Sequence, residues 1–176
     1  MDVANAAIYR FLEAPDEWGR PEEPVTPQEV EGFEHSEGVA LPDALKQYWQ
    51  RYGGRQFNSK TVFSFQTKAT FPNGKRKRVD VGVVADPRTM IEARQRYMDP
   101  LYGNSGPRLP AALYPLTFDA GYGHCLLDLN AHSYGRILYI VIKAKTFGDR
   151  GYGWEQIGHV ADDFETFLTG LTPSRL

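Results

Sequence analysis

Residues 113–142 read LYPLTFDAGYGHCLLDLNAHSYGRILYIVI. The pattern predicts three consecutive β-strands. They run from Leu113 to Asp119, from about His124 to Leu129, and from Ile137 to Ile142. Gly121-Tyr122-Gly123 makes the first turn, and Asn130 to Arg136 a longer polar one. Hairpin turns need positive φ values, which Gly and Asn adopt at little steric cost. The third strand is apolar throughout, the signature of a strand covered on both faces. The meander is therefore the expected hydrophobic centre.

Working outward, the N-terminal third predicts helices. Ala4, Ala7, Ile8, Phe11 and Leu12 fall on one helical face, so residues 2–13 are expected to be helical. Residues 14–25 contain three prolines and read as a loop carrying Asp16, Glu17, Glu22 and Glu23. Thr26-Pro27-Gln28-Glu29 is a capping-box start with Pro at the first helical position. That helix turns Val30 and Phe33 inward and Glu31, Glu34 and Glu37 mostly outward, and stops at Gly38. Leu41-Pro42-Asp43 opens a third helix bearing Leu45, Tyr48, Trp49 and Tyr52, closed by Gly53-Gly54. Residues 61–67 and about 78–84 are strand-like around an Asn73-Gly74 hairpin turn. Asp86-Pro87 caps a helix to about Met98. Trp154 to Val160 is expected as a final edge strand, and Asp162 with Glu165 as the capping pair of a closing helix.

The chain thus predicts one α+β domain: N-terminal helices packed on a largely antiparallel sheet, with a C-terminal closing helix. Apolar content of 41% supports a real core and argues against disorder. The single cysteine, Cys125, forbids an intramolecular disulfide and sits among apolar residues, as a core thiol does. The N-terminus lacks the basic and apolar regions of a signal peptide, and no stretch approaches the ~20 apolar residues of a membrane span. The expected location is the cytoplasm, with no membrane partner.

Charge is segregated along the chain. The balance is −8 over residues 1–50, +7 over 51–100 and −1 over 101–176. The basic excess includes the run Lys75-Arg76-Lys77-Arg78 at a hairpin tip. Such a run can bind nucleic acid or keep an exposed sheet edge from pairing, and no stacking aromatics alternate with it in sequence.

Catalytic motifs are absent. Gly121-Tyr122-Gly123 lacks the third glycine and following helix of a phosphate loop. No serine sits in a nucleophile elbow. His124, Asp128, His132 and Asp119 contain metal-ligating types, but four residues along a strand separate His124 from Asp128 by about 13 Å, and His124 reads instead as a turn-flanking polar residue. No cofactor, metal or catalytic residue is assigned.

Two stretches resemble the SUKH superfamily, also called the SMI/KNR domain. The first, residues 26–54, has the Thr-capped helix with Glu34, the Leu41-Pro42 step and the aromatic helix ending in Gly53-Gly54. Tyr52 stands where that pattern commonly has Asn. The second, residues 113–171, has the Asp119-Ala120-Gly121 turn, the strand ending at Asp128, the Gly135 turn and an Ala-Asp-Asp-Phe-Glu-Thr-Phe-Leu ending. The resemblance implies a single SUKH-like domain over 1–176, with 1–25 as an N-terminal extension. It implies a non-enzymatic bacterial immunity protein, monomeric before binding, that neutralises a cognate polymorphic toxin, with nucleases the leading class, by occluding it. A regulatory scaffold is the first alternative, and a nucleic-acid-binding module using residues 75–78 the second. The proposed partner-binding residues are Asp16, Glu17, Glu22, Glu23, Glu31, Glu34 and Glu37, whose acidity suits a basic phosphate-binding cleft.

Overall fold

The computed structural model describes residues 6–14, 23–58, 62–100, 106–118 and 122–175. The helices are α1 (Ala7–Glu13), α2 (Pro27–Glu37), α3 (Asp43–Tyr52), α4 (Pro87–Met98) and α5 (Phe164–Thr169). The strands are β1 (Val62–Thr70), β2 (Arg76–Val81), β3 (Leu113–Pro115), β4 (Gly123–Asp128), β5 (Ile137–Val141), β6 (Gly158–Ala161) and β7 (Thr172–Arg175). They form one sheet in the order β2-β1-β6-β5-β4-β3, with β7 also paired to β1, and every pairing between these strands is antiparallel. This is the α+β architecture expected from the sequence.

The local signals act as the sequence predicts at several helix ends. Thr26 and Glu29 complete the capping box of α2, and Gly38 ends it at φ 65°. Asp86 accepts a hydrogen bond from the Thr89 N–H at the start of α4. The meander is buried on both faces. Tyr114, Cys125, Leu127, Ile137 and Tyr139 join the main core with Val30, Phe33, Leu45 and Trp49 of α2 and α3. Leu113, Leu126, Ile140 and Ile142 point the other way, into a smaller cluster closed by Leu109, Tyr152 and Ile157. Alternation along a strand, with both sides covered, accounts for the continuous apolar run.

Three expectations are corrected. Trp154–Gln156 is a turn of 3₁₀-helix, and the strand that follows, β6, is an interior strand between β5 and β1. A long-range pairing of Thr70 with His159 puts it there, and no local pattern encodes such a pairing. The cap of α5 is Asp163, whose carboxylate accepts from the Thr166 N–H, while Asp162 pairs with His159 at 3.0 Å. His124 is a buried residue of β4 rather than a turn-flanking polar group. A further strand, β7, was not foreseen. Its Pro173 lies in a strand whose one named partner is β1, and edge positions tolerate proline because no ladder donor is needed there.

Candidate partner-binding surface

The acids of α2 divide by what they touch. Glu29 is held by its own helix end: its Oε2 accepts from the Thr26 N–H and hydroxyl, each at 2.8 Å. Those bonds, the backbone one first, hold its carboxyl below the usual carboxylate range. Glu34 reaches forward. Its Oε1 accepts from the Leu41 N–H at 2.7 Å and from Lys46 Nζ at 3.4 Å, tying α2 to the entry of α3. Glu37 reaches across. Its Oε2 accepts from Arg94 of α4 at 3.2 Å and from the Tyr114 hydroxyl of β3 at 3.1 Å. Arg94 also stacks 4.5 Å from the Tyr114 ring centre and donates to the Ala111 carbonyl.

Glu34 and Glu37 therefore have structural partners. Their side chains are 26% and 14% exposed, less than the outward placement expected from the helical pattern. Glu23 and Glu31 face solvent. Asp16, Glu17 and Glu22 lie outside the described residues.

Between α2 and α4 lies a cleft of about 750 Å³. Val25, Phe33 and Ile91 supply its apolar lining, and Glu23, Glu29, Asp86 and Glu92 its carboxylates. Among the described residues that line it, Arg88 is the one cation, and its Nε is 2.8 Å from Glu92. Two long-range bonds set the floor: Trp49 Nε1 donates to the Ala85 carbonyl at 2.8 Å, and the Val25 N–H donates to the Trp49 carbonyl at 2.9 Å. The cleft keeps an anionic excess over apolar surface. The second flank of α2 holds a smaller groove with Glu31, Glu34 and Asp43 against Lys46. Lys46 is pulled up in pKa first by its bond to Asp43.

Asp86, read from the sequence only as a helix cap, and Glu92 are absent from the acids expected at the partner surface because they sit in the segment whose sum is strongly basic. Their signals were local: a helix cap, and an i,i+4 partner for Arg88.

The other candidates have different fates. The His124 ring is flanked by Tyr97 and Phe118, with Nε2 2.7 Å from the Tyr97 hydroxyl and Nδ1 3.1 Å from the Thr117 carbonyl. Asp128 is consumed by its own turn, and His132 is exposed in that turn. Asp119 lies outside the described residues. Among the described residues no cluster of three or more His, Cys, Asp or Glu side chains is placed to hold a metal. The basic run is split by strand alternation: Lys77 turns to the core side and donates to the Tyr139 hydroxyl at 2.9 Å, whereas Arg76 and Arg78 take the opposite face. No helix among the described residues is long and apolar enough to cross a membrane.

The family model described as the SMI1 / KNR4 family (SUKH-1) matches residues 24–170. The chain belongs to this family. No curated protein matches it. The SUKH-1 match takes in α2, α3, α4 and most of the acidic cleft, and it stops short of α1 and β7 at the two ends. Those two flanking elements touch each other.

Proposed function

We propose that this SUKH-1 chain is an immunity protein that binds a cognate bacterial toxin and covers its active site, performing no chemistry itself. It acts in the cytoplasm as a monomer until it meets the toxin. The observation that carries the contact surface is the α2–α4 cleft, where among the described residues carboxylates outnumber cations beside an apolar lining. A nuclease presents a basic site for phosphate, and an acidic surface with an apolar floor is its electrostatic and packing complement. Glu23 and Glu31 stand at the exposed margins of α2, with Glu29, Asp86 and Glu92 between α2 and α4. Asp16, Glu17 and Glu22 precede this surface in sequence and extend the same acidic character.

Affinity capture from the native host, followed by kinetics with the recovered partner, tests the proposal. A near-stoichiometric partner with a toxin domain is the expected product. The variant Glu23→Lys/Glu31→Lys should then associate about tenfold more slowly at low salt, with a smaller loss at high salt, as steering predicts. An unchanged association rate removes the acidic surface from the contact. Recovery of signalling proteins without any toxin replaces immunity by a scaffold role.

A further inference from the structure

The face of the sheet turned away from α2 and α3 carries a second, differently charged surface. Residues directly opposite in an antiparallel pair share a face. Arg76 pairs with Thr70, Thr70 with His159, and His159 with Leu138, so these form one row across β2, β1, β6 and β5. Lys68 pairs with Arg78 in the next row on the same face. Phe65, Ala69, Val79 and Val81, on the other face of the same strands, belong to the main core. The row opens into a groove of about 440 Å³ whose walls include Phe71, Leu138 and Ile157, with Trp154 and Arg136 alongside. Trp154 is 55% exposed.

Two features of this face lack an internal explanation. Lys68 and Arg78 are like charges set directly opposite, an arrangement that weakens a strand pair unless an anion compensates it. Among the described residues, none of the ion pairs includes Lys68, Arg76 or Arg78. The acid on this face of the hairpin, Asp80, accepts from Gln66. Protection of a sheet edge explains cations on β2, which is an edge strand. It does not explain Lys68, which stands on β1 between β2 and its other neighbours. An exposed Trp beside an Arg and an apolar groove is the composition of an interface anchor.

We infer that this outer face docks an acidic protein segment carrying a bulky apolar side chain. Carboxylates of the segment meet Lys68, Arg76 and Arg78, and the apolar side chain enters the groove against Trp154, Leu138 and Ile157. Asp128 also lines the groove, so the anions stay on the cationic rows and the groove takes the uncharged group. A nucleic acid fits less well. Of the large exposed aromatics among the described residues, Trp154 alone lines this groove, and a strand of bases needs successive stacking platforms. The surface is separate from the acidic cleft, which gives each its own test.

The full chain, labelled with ¹⁵N, is titrated with a short peptide of alternating Glu and Leu, an all-Glu peptide of equal charge, and an oligothymidylate of equal length. Saturable shifts at Lys68, Arg78, Leu138 and Trp154 with the Glu/Leu peptide, tighter than with the all-Glu peptide, are the expected result. The Lys68→Gln/Arg76→Gln/Arg78→Gln variant should bind about tenfold more weakly, as loss of exposed charge pairing predicts. Trp154→Ala should remove the preference for Leu, and Glu23→Lys should bind normally. The inference is overturned if no saturable shift appears on this face, if the triple variant binds unchanged, or if the oligothymidylate binds there as tightly as the Glu/Leu peptide.

Discussion

The Asp128 carboxylate accepts from the Asn130 N–H at 2.9 Å, from Asn130 Nδ2 at 2.7 Å and from the Ser133 hydroxyl at 2.6 Å. The Gly135 N–H donates to the Asp128 carbonyl at 2.8 Å, with Gly135 at φ 86°. A buried acid beside histidines in sequence is thus the organiser of the β4–β5 turn. Removing the carboxylate in Asp128→Ala leaves these donors without it and should cost about 2 kcal/mol, read as a lowered urea midpoint. Asp128→Asn retains one acceptor oxygen and should lose less. Equal stability of Asp128→Ala and the parent would show that the turn closes without it. The type of this residue was legible in the sequence. Its partners were not, because Asp serves a turn and a metal site with the same oxygens.

At the scale of elements, α1 shows how a segment beyond the family match is built into the core. Ile8 and Leu12 are buried, and Phe11 packs edge-on against Phe57 and Phe65. Arg55 donates to the Leu12 carbonyl at 2.7 Å, occupying an acceptor in the last turn of the helix. Contacts to α5 and β7 complete the site. Ile8 is fully buried, so Ile8→Ala should destabilise the protein by about 3 kcal/mol through lost burial and a residual cavity. Equilibrium denaturation measures this, and a loss below about 0.5 kcal/mol would show α1 to be only loosely docked. The heptad-like spacing of apolar residues made α1 readable. β6 and β7 were harder because a short strand is defined by its neighbour. Thr172-Pro173-Ser174 has no alternation of its own and becomes a strand by pairing with β1.

At the scale of the whole molecule, the sheet separates two charged layers: acidic grooves along α2 on one side, and the Lys68–Arg78 rows on the other. Two tyrosines link the helical layer to its surroundings. Burial first, then its hydroxyl bond to Glu13, pushes Tyr52 up to about 12. Burial first, with Glu37 adding and Arg94 opposing, pushes Tyr114 up to about 12. Both shifts favour the neutral phenol in the fold. Their contribution is complete below the unfolded phenol value of about 10 and is lost as pH rises through the folded values. Stability should therefore fall between about pH 10 and about pH 12, followed by thermal melts together with tyrosinate absorbance. A Tyr52→Phe/Tyr114→Phe variant should show a flatter decline across that window, and an equally steep one would assign the loss to other groups.

The sequence by itself determined the α+β class, the capped helices α2 and α4, the β4–β5 meander and its burial on both faces. These rest on periodicity, caps and turn residues, whose physics acts over a few neighbours. It also carried the resemblance on which family membership was anticipated. The tertiary structure alone decided that Glu34 and Glu37 brace α2 against α3, α4 and β3, and that Asp86 and Glu92 join Glu23 and Glu29 in one cleft. It alone split Lys77 from Arg76 and Arg78, and brought Trp154 beside Leu138 and His159. The reason is the same each time. A side chain's charge is written in the chain, but whether that charge meets solvent, a partner or a like charge depends on segments that only packing and strand pairing bring together.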